Sequence, residues 1–472
     1  MKIITNGHSF EDAVRQILQL FFDINSDFSV VSDLSIQDNL YTATAKITLG
    51  ENFAGGEVKD TLFSPEKRQV SDLVKKSVFF ACKKLSDMPT PWGISTGIRP
   101  AKTARMMLDE NRSDEEILRY METEFLITPK KARLSLDVAK KEKTLLENKV
   151  ENGVSLYIGV PFCPTRCSYC SFISQAVVHN KKFVEPFTDA LIKEIEQTAL
   201  MAEEYGFKAE TVYIGGGTPT TLSPESLDRV IKRVKDCFDI SHLREFTVEA
   251  GRPDTFTDEM MAMLSKNGVG RLSINPQTMN QKTLDKIGRR HSTEQIEAAF
   301  EMARSHGNFS INADIIAGLP EETPEDFKNT VEKVTRLSPD AVTVHTMYLK
   351  RAAGLIGDFE KLRFASHMDM MVQYAYDYLT KEGYNPYYMY KQRNTLGNLE
   401  NVAFSKEGHE SLYNIYIMEE IQTILAMGGG GSTKMVRGDR IERVFNPKEA
   451  ADYINRIDEI IERKRKALEF LR

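Results

Sequence analysis

The sequence predicts an α/β fold: a parallel sheet of about six βα units forming a partial (β/α)6 barrel, with an N-terminal α+β domain before it and a C-terminal α/β extension after it. Three observations predict this. From residue 151 to about residue 350, short apolar runs alternate with amphipathic stretches, a beat that builds parallel sheets with right-handed crossovers. The number of units falls short of the eight in a closed barrel. The residues of unusual chemistry all lie just past the C-terminal ends of the apolar runs, the edge that carries the active site in α/β barrels and open α/β sheets. A chain of 472 residues has room for two or three domains, which we divide at 1–150, 151–350 and 351–472.

In the first 150 residues, Ile3 to Thr5 reads as a short strand and Phe10 to Phe22 as a helix with Val14, Ile17, Leu18 and Phe21 on one face and Ser9 as its cap. Phe28 to Leu34 and Leu40 to Leu49 alternate as strands do, and Val70 to Leu85 is a second amphipathic helix. The order βαββα describes a small α+β module. A Pro/Gly-rich connection around Trp92, the sole tryptophan, leads into polar helices over residues 101 to 150.

In the central part, Val154 to Val160, Glu210 to Ile214, Phe246 to Ala250, Arg271 to Asn275, Phe309 to Ile316 and Ala341 to His345 are the strands. Phe183 to Tyr205, Ser223 to Phe238, Asp258 to Asn267, Thr293 to His306 and Pro324 to Leu337 are the helices between them, the second opened by Ser223 with Pro224 at its first position. Beyond residue 350, Phe364 to Lys381 is amphipathic. Pro386 to Asn394 is aromatic and basic, suited equally to packing and to lying over a macrocycle that bears carboxylates. Glu419 to Ala426 is a helix or strand running into a glycine loop, and Pro447 to Arg472 is a charged, solvated terminal helix.

Composition narrows the function. Hydrophobic residues make up 41% and charged residues 28%, ordinary for a globular protein. A net charge of −6 argues against a general nucleic-acid-binding surface. The N-terminus lacks the apolar stretch of an export signal, and no apolar run approaches membrane-spanning length. Five cysteines, three of them in one short loop, do not make a disulfide framework. The expected location is a reduced cytoplasm.

That loop is Tyr157-Ile-Gly-Val-Pro-Phe-Cys163-Pro-Thr-Arg-Cys167-Ser-Tyr-Cys170. Three close thiols suit a metal or a metal cluster. A closed zinc site takes four protein ligands, and a cubane iron–sulfur cluster has four corners, so a cluster on Cys163, Cys167 and Cys170 leaves one iron open to a further ligand. A Cys3His zinc site using His179, or plain burial of the cysteines, are the alternatives.

The other strand ends carry Gly215-Gly-Gly-Thr-Pro-Thr220, Glu249, Asn275-Pro-Gln277, Asp314 and His345. The glycines allow close approach of an amino-acid ligand to bare backbone, or simply make a tight turn. A carboxylate such as Glu249 or Asp314 among apolar neighbours needs a donor. Gln277 and Arg289 suit a ribose and a carboxylate, or are surface groups. His291 and His345 read as structural hydrogen-bonders. Gly428-Gly-Gly-Gly-Ser-Thr-Lys434 has the wrong order for a phosphate-binding loop, which excludes nucleotide hydrolysis.

These pieces resemble one family. The cysteine loop, Gly215-Gly-Gly-Thr-Pro-Thr, Phe246-Thr-Val-Glu249, Ser273-Ile-Asn-Pro-Gln277, Gly288-Arg289-Arg-His and Asn312-Ala-Asp-Ile-Ile-Ala-Gly-Leu-Pro320 are similar to the oxygen-independent coproporphyrinogen III oxidases (coproporphyrinogen dehydrogenases) of the radical S-adenosylmethionine (SAM) enzymes. The N-terminal extension, Glu249-Ala-Gly-Arg-Pro-Asp and Gly397-Asn-Leu-Glu-Asn-Val resemble the HemZ branch in particular.

The resemblance implies a TIM-like radical SAM barrel. Cys163, Cys167 and Cys170 would hold a [4Fe-4S] cluster with SAM on the fourth iron. Tyr157, Gly216, Gly217, Thr218 and Glu249 would line that SAM. Gln277, Arg289 and Asp314 would complete the nucleotide pockets, for one SAM or two, and Tyr169 would shield the cluster near the adenine. An electron from a donor such as flavodoxin or ferredoxin would cleave SAM to methionine and a 5′-deoxyadenosyl radical. The radical would take a hydrogen from the β-carbon of a porphyrinogen propionate, and loss of carbon dioxide and one electron would leave a vinyl group. Two such events turn coproporphyrinogen III into protoporphyrinogen IX. Arg252, Arg271, Arg290 and Arg351 are candidates for the substrate carboxylates.

Two positions depart from the oxidase pattern: Phe172 where relatives carry a further cysteine, and Ile158 where histidine is common. Related chains with the same core are haem chaperones or haem-opening methyltransferases. The chaperones' His-Asn…Tyr-Trp signature is missing from the C-terminal part.

Overall fold

The parallel strands Gly153–Val160, Lys208–Gly216, Glu245–Glu249, Arg271–Ser273, Ser310–Ala317 and Ala341–Thr346 lie side by side in chain order. They are nearly all buried, so each reads as a continuous apolar run rather than an alternating one. Sequential order means that every crossover winds the same way, and the sheet curls into a partial (β/α)6 barrel. The computed structural model describes residues 1–22, 27–170, 175–348, 367–392 and 395–472. The described residues fall into two compact units: those within 1–140, 367–370 and 390–400 form one, and those within 141–348, 371–389 and 401–472 form the other.

The barrel helices are Val184–Glu204, Pro224–Cys237, Asp258–Lys266, Thr293–His306 and Pro324–Arg336. Ser223 caps the second as expected, accepting from the Ser226 amide, and the last two open with complete capping boxes at Ser292/Gln295 and Thr323/Asp326. Helix starts are therefore locally encoded.

The sheet extends further at both ends. Ile424–Gly428 pairs in parallel with Gly153–Val160 and is followed by antiparallel Ser432–Arg437 and Arg440–Phe445. At the far edge Glu400–Ser405 pairs antiparallel with Ala341–Thr346, and Asn385–Lys391 lies outside it. The glycine run at 428 now has a structural reason. Gly428 sits at φ 87°, a Cβ there would meet Gly159 O at 2.2 Å, and Gly429 N donates to Gly159 O at 2.9 Å. In the aromatic segment, Tyr387, Tyr388 and Met389 are buried, so packing claims those side chains.

The terminal helix corrects the sequence reading. Ile457–Leu468 is not simply solvated: Ile460, Ile461, Lys464 and Leu468 are buried. Lys464 Nζ donates to Glu194 Oε1 at 2.7 Å and Thr198 Oγ1 at 3.0 Å. Glu194 also accepts from Gly428 N (2.8 Å), Asn446 Nδ2 (2.9 Å) and Tyr453 Oη (2.5 Å). One carboxylate thus joins the first barrel helix, the glycine turn and the C-terminal helices.

The first unit contains a sheet ordered Lys2–Asn6, Phe28–Gln37, Leu40–Leu49, Asn52–Thr61, with the first pair parallel and the others antiparallel. Asn52–Thr61 is an addition to the expected βαββα order. Its Gly55-Gly56 pair hides it, yet a Cβ on Gly56 would meet Ser77 O at 2.0 Å, so glycine there permits the close approach of helix Lys67–Lys83. The first helix, Glu11–Phe21, buries the four residues expected, but Ser9 is not its cap: no side chain caps it, and Phe10 N donates to His8 Nδ1 at 3.2 Å. Helices Lys102–Asp109, Asp114–Glu124 and Pro129–Leu146 follow. No helix among the described residues is long and apolar enough to cross a membrane.

Replacing Lys464 by Met strands the buried Glu194 charge. The expected loss is roughly 3–5 kcal/mol in urea denaturation, and the double variant Glu194→Gln/Lys464→Met should lose less than the sum of the two single variants.

Candidate active site

The cysteine loop leaves strand Gly153–Val160 and is seated directly on the glycine loop that follows strand Lys208–Gly216. Gly217 N donates to Val160 O and Thr218 N to Phe162 O, each at 2.7 Å. A Cβ on Gly216 (φ 111°) would meet Val160 O at 2.8 Å, and one on Gly217 would meet Phe162 O at 2.4 Å and Cys163 Sγ at 3.0 Å. The glycines let two chain segments run in contact. This corrects the picture of bare amides: two serve the cysteine loop, and the Gly216 amide hydrogen-bonds Glu249.

Around the thiols, Cys163 Sγ lies 3.4 Å from Thr218 Oγ1, and Arg252 Nη1 lies 3.6 Å from Cys167 Sγ. Arg252 also donates to Thr165 Oγ1 and forms a 2.8 Å ion pair with Asp254. Buried Arg289 contacts Tyr169 Oη at 3.1 Å and donates to Gly251 O at 3.1 Å and Asn275 O at 2.5 Å. Two guanidiniums thus stand beside the loop. Cys163 and Cys167 are buried, Cys170 is half-buried, and none of the three is in a disulfide. Among the described residues, no three His, Cys, Asp or Glu side chains converge on one point, as a closed zinc site requires. Thiolates at three corners of a cubane bind three different irons and need no such convergence. His179 is exposed on the short helix Val177–Asn180.

Across the same edge, the Tyr213 hydroxyl donates to Glu249 Oε1 at 2.5 Å. Tyr157, Tyr213 and Tyr413 stack with centroids 4.5 Å apart for Tyr213–Tyr413 and 6.2 Å for Tyr157–Tyr213. Burial pushes Glu249 up to about 7, the Tyr213 hydrogen bond opposes this, and the Asp314 charge adds to it. Asp314 goes the other way. Burial would raise it, but the neighbouring His345 and hydrogen bonding by Asn312 and Thr343 outweigh burial and hold it below the ordinary carboxylate range. Asn312 Nδ2 donates to Asp314 Oδ1 at 2.8 Å, and His345 Nε2 lies 3.6 Å from Asp314 Oδ2. Gln277 is buried at φ 66°, with its amide donating to Asp314 O at 2.9 Å. Backbone in that left-handed region is strained for glutamine and held here by the surrounding hydrogen bonds.

Other expectations change. Arg252 is engaged by Asp254 and Cys167, Arg271 begins its strand at the opposite edge and donates to His409 O at 2.6 Å, and Arg290 is exposed. Arg351 and Phe172 lie outside the described residues. His291 is buried, but neither ring nitrogen has a hydrogen-bond partner among the described residues. Tyr213 and Tyr413 were not singled out from sequence, because an aromatic in a strand or helix looks like core.

A family model of the radical SAM superfamily matches residues 157–334. The chain is 37% identical to the oxygen-independent coproporphyrinogen-III oxidase-like protein HemZ of Bacillus subtilis strain 168, over 88% of this chain and 87% of that one. The chain belongs to the HemZ family of radical SAM proteins. It is also 31% identical to the heme chaperone HemW of Lactococcus lactis, over 67% of this chain and 79% of the relative. The solved coproporphyrinogen III oxidase HemN from Escherichia coli superposes with a TM-score of 0.54 at 25% identity, covering 66% of this chain and 70% of that structure. Membership of the superfamily implies a [4Fe-4S] cluster and SAM, and the loop's three thiols with their guanidinium neighbours suit such a cluster.

Glu249 makes the HemZ-family site pH-sensitive. Its ordinary value is 4.5 and the folded value about 7, so the fold favours its protonated form and its ionisation costs stability as pH rises through that window. Glu249→Gln should therefore gain up to about 3 kcal/mol over the parent chain at pH 8, and almost nothing near pH 4.5, in paired urea titrations.

Proposed function

We propose that this chain is a radical SAM coproporphyrinogen III oxidase, with its [4Fe-4S] cluster on Cys163, Cys167 and Cys170. The observation that carries the reading is the cysteine loop hydrogen-bonded onto Gly216–Thr218, with Arg252 at Cys167, in a chain 37% identical across most of its length to a coproporphyrinogen-III oxidase-like protein. Cluster and SAM, when bound, supply a hydrogen-abstracting radical, and the protein supplies orientation and exclusion of water.

In this proposal Tyr157, Gly216, Gly217, Thr218 and Glu249 line the SAM. Since the loop amides are spent within the protein, the polar contacts fall to side chains, Glu249 foremost. Tyr169 covers the cluster under the Arg289 guanidinium. Gln277, Arg289 and Asp314 complete the nucleotide pockets, and the Asn312 and His345 contacts keep Asp314 ionised as an acceptor for hydroxyl donors. A low-potential reductant in a reduced, cytoplasmic setting feeds the cluster. The porphyrinogen propionate loses a β-hydrogen, carbon dioxide and an electron to become a vinyl group, twice over, giving protoporphyrinogen IX.

Similarity to HemW supports a second reading, a haem chaperone that retains the SAM core. One experiment separates the two. The anaerobically reconstituted protein is incubated with SAM, reductant and coproporphyrinogen III, and the products are read by mass spectrometry. The oxidase reading expects protoporphyrinogen and 5′-deoxyadenosine, both lost in Cys167→Ala. Stoichiometric haem binding with neither product would contradict it and favour the chaperone.

A further inference from the structure

The first unit carries a cavity of about 400 Å³, in the range that holds metabolite-sized ligands. Helix Glu11–Phe21, the connection around Thr96 and the segment following strand Asn385–Lys391 line it. Its polar wall includes the Lys391 ammonium and the side-chain amides of Asn398 and Gln16. Lys391 is buried; its ammonium donates to Ser95 O at 3.1 Å and lies 5.2 Å from the Trp92 ring centroid. No carboxylate among the described residues is within ion-pair distance of it. Glu400 receives Trp92 Nε1 at 2.5 Å and Lys131 Nζ at 2.6 Å, and Asp369 Oδ1 lies 4.0 Å from the same Lys131 ammonium, so the nearby carboxylates are engaged by Lys131 and Trp92 rather than by Lys391. Asn398 Nδ2 is buried with no acceptor among the described residues. Gln16 uses its carbonyl to accept from Thr96 Oγ1 at 2.7 Å, which leaves its NH2 as a donor. Leu20, Met88 and Pro89 form an apolar wall. Arg15 is paired with Glu11, and Asp12 is exposed.

A buried cation and an orphaned amide donor are costly unless an acceptor meets them. A ligand that satisfies this wall is anionic and acceptor-rich, and the apolar side calls for a carbon body. We propose that this cavity binds a small organic carboxylate, held by the Lys391 ammonium and the side-chain amides of Asn398 and Gln16. Burial pulls the ammonium down to about 7 against the attraction of Glu400, with Lys131 adding to the fall, so a carboxylate is the kind of neighbour that would keep it charged.

Trp92, the sole tryptophan, is a built-in reporter. The full chain is titrated with citrate and separately with inorganic phosphate, followed by Trp92 emission and calorimetry. The expected result is saturable citrate binding, weakened at least tenfold in Lys391→Met and in Asn398→Asp, with phosphate much weaker. Asn398→Asp keeps a residue that tolerates the local φ of 54° and turns a donor into an acceptor, so it tests the site even where Lys391→Met fails to fold. No saturable citrate binding, unchanged binding in a folded Asn398→Asp, or phosphate binding as tightly as citrate would each overturn the proposal.

Discussion

Two short backbone hydrogen bonds, Gly217 N to Val160 O and Thr218 N to Phe162 O, fix the start of the cysteine loop at Cys163, and Ser168 N to Ile287 O at 3.0 Å ties down its far side. The first two extend the register of two adjacent parallel strands past their ends, so the cysteine loop is carried by the sheet rather than left to its own conformation. The condition is that nothing larger than hydrogen stands at Gly216 or Gly217, because the carbonyls of Val160 and Phe162 occupy the space of a Cβ. The rest of the site builds outward from this contact. Thr218 reaches Cys163, the Gly216 amide reaches Glu249, and Glu249 reaches Tyr213 and its stacked neighbours.

The two carboxylates at this edge are driven apart by their surroundings. Glu249, served by one hydroxyl and one amide, rises to about 7, whereas Asp314, served by Asn312, Thr343 and His345, stays low. Like-charge repulsion between them adds to the split, so one is set to be ionised and the other to be switched by what binds beside it. Arg252 and Arg289 place two positive charges beside the cysteine loop.

The barrel was legible because parallel strands buried on both faces leave unbroken apolar runs, and because Ser223 with Pro224 marks a helix start chemically; the caps at Ser292 and Thr323 carry the same kind of local signal. The placement of Cys163, Glu249, Gln277 and Asp314 at one edge followed from that periodicity alone. What stayed hidden is non-local. Ile424–Gly428 docks beside Gly153–Val160 through a pairing that no local signal encodes. Strand Asn52–Thr61 was masked by glycines whose purpose lies in another element. Lys464 looked like one more charge on a charged helix until Glu194 was seen opposite it. Arg252 looked like a substrate arginine, but its partners are Asp254 and Cys167.

The central claim is that contact between the glycine and cysteine loops builds a three-thiolate cluster site with one open iron. Electron paramagnetic resonance of the reconstituted, reduced protein, with and without SAM, tests it most directly, alongside Gly217→Ala. The account predicts a [4Fe-4S] signal that changes when SAM is added, and loss of that signal in Gly217→Ala, where the new methyl group meets Phe162 O. A cluster signal that SAM leaves unchanged, or one that survives intact in Gly217→Ala, would contradict it.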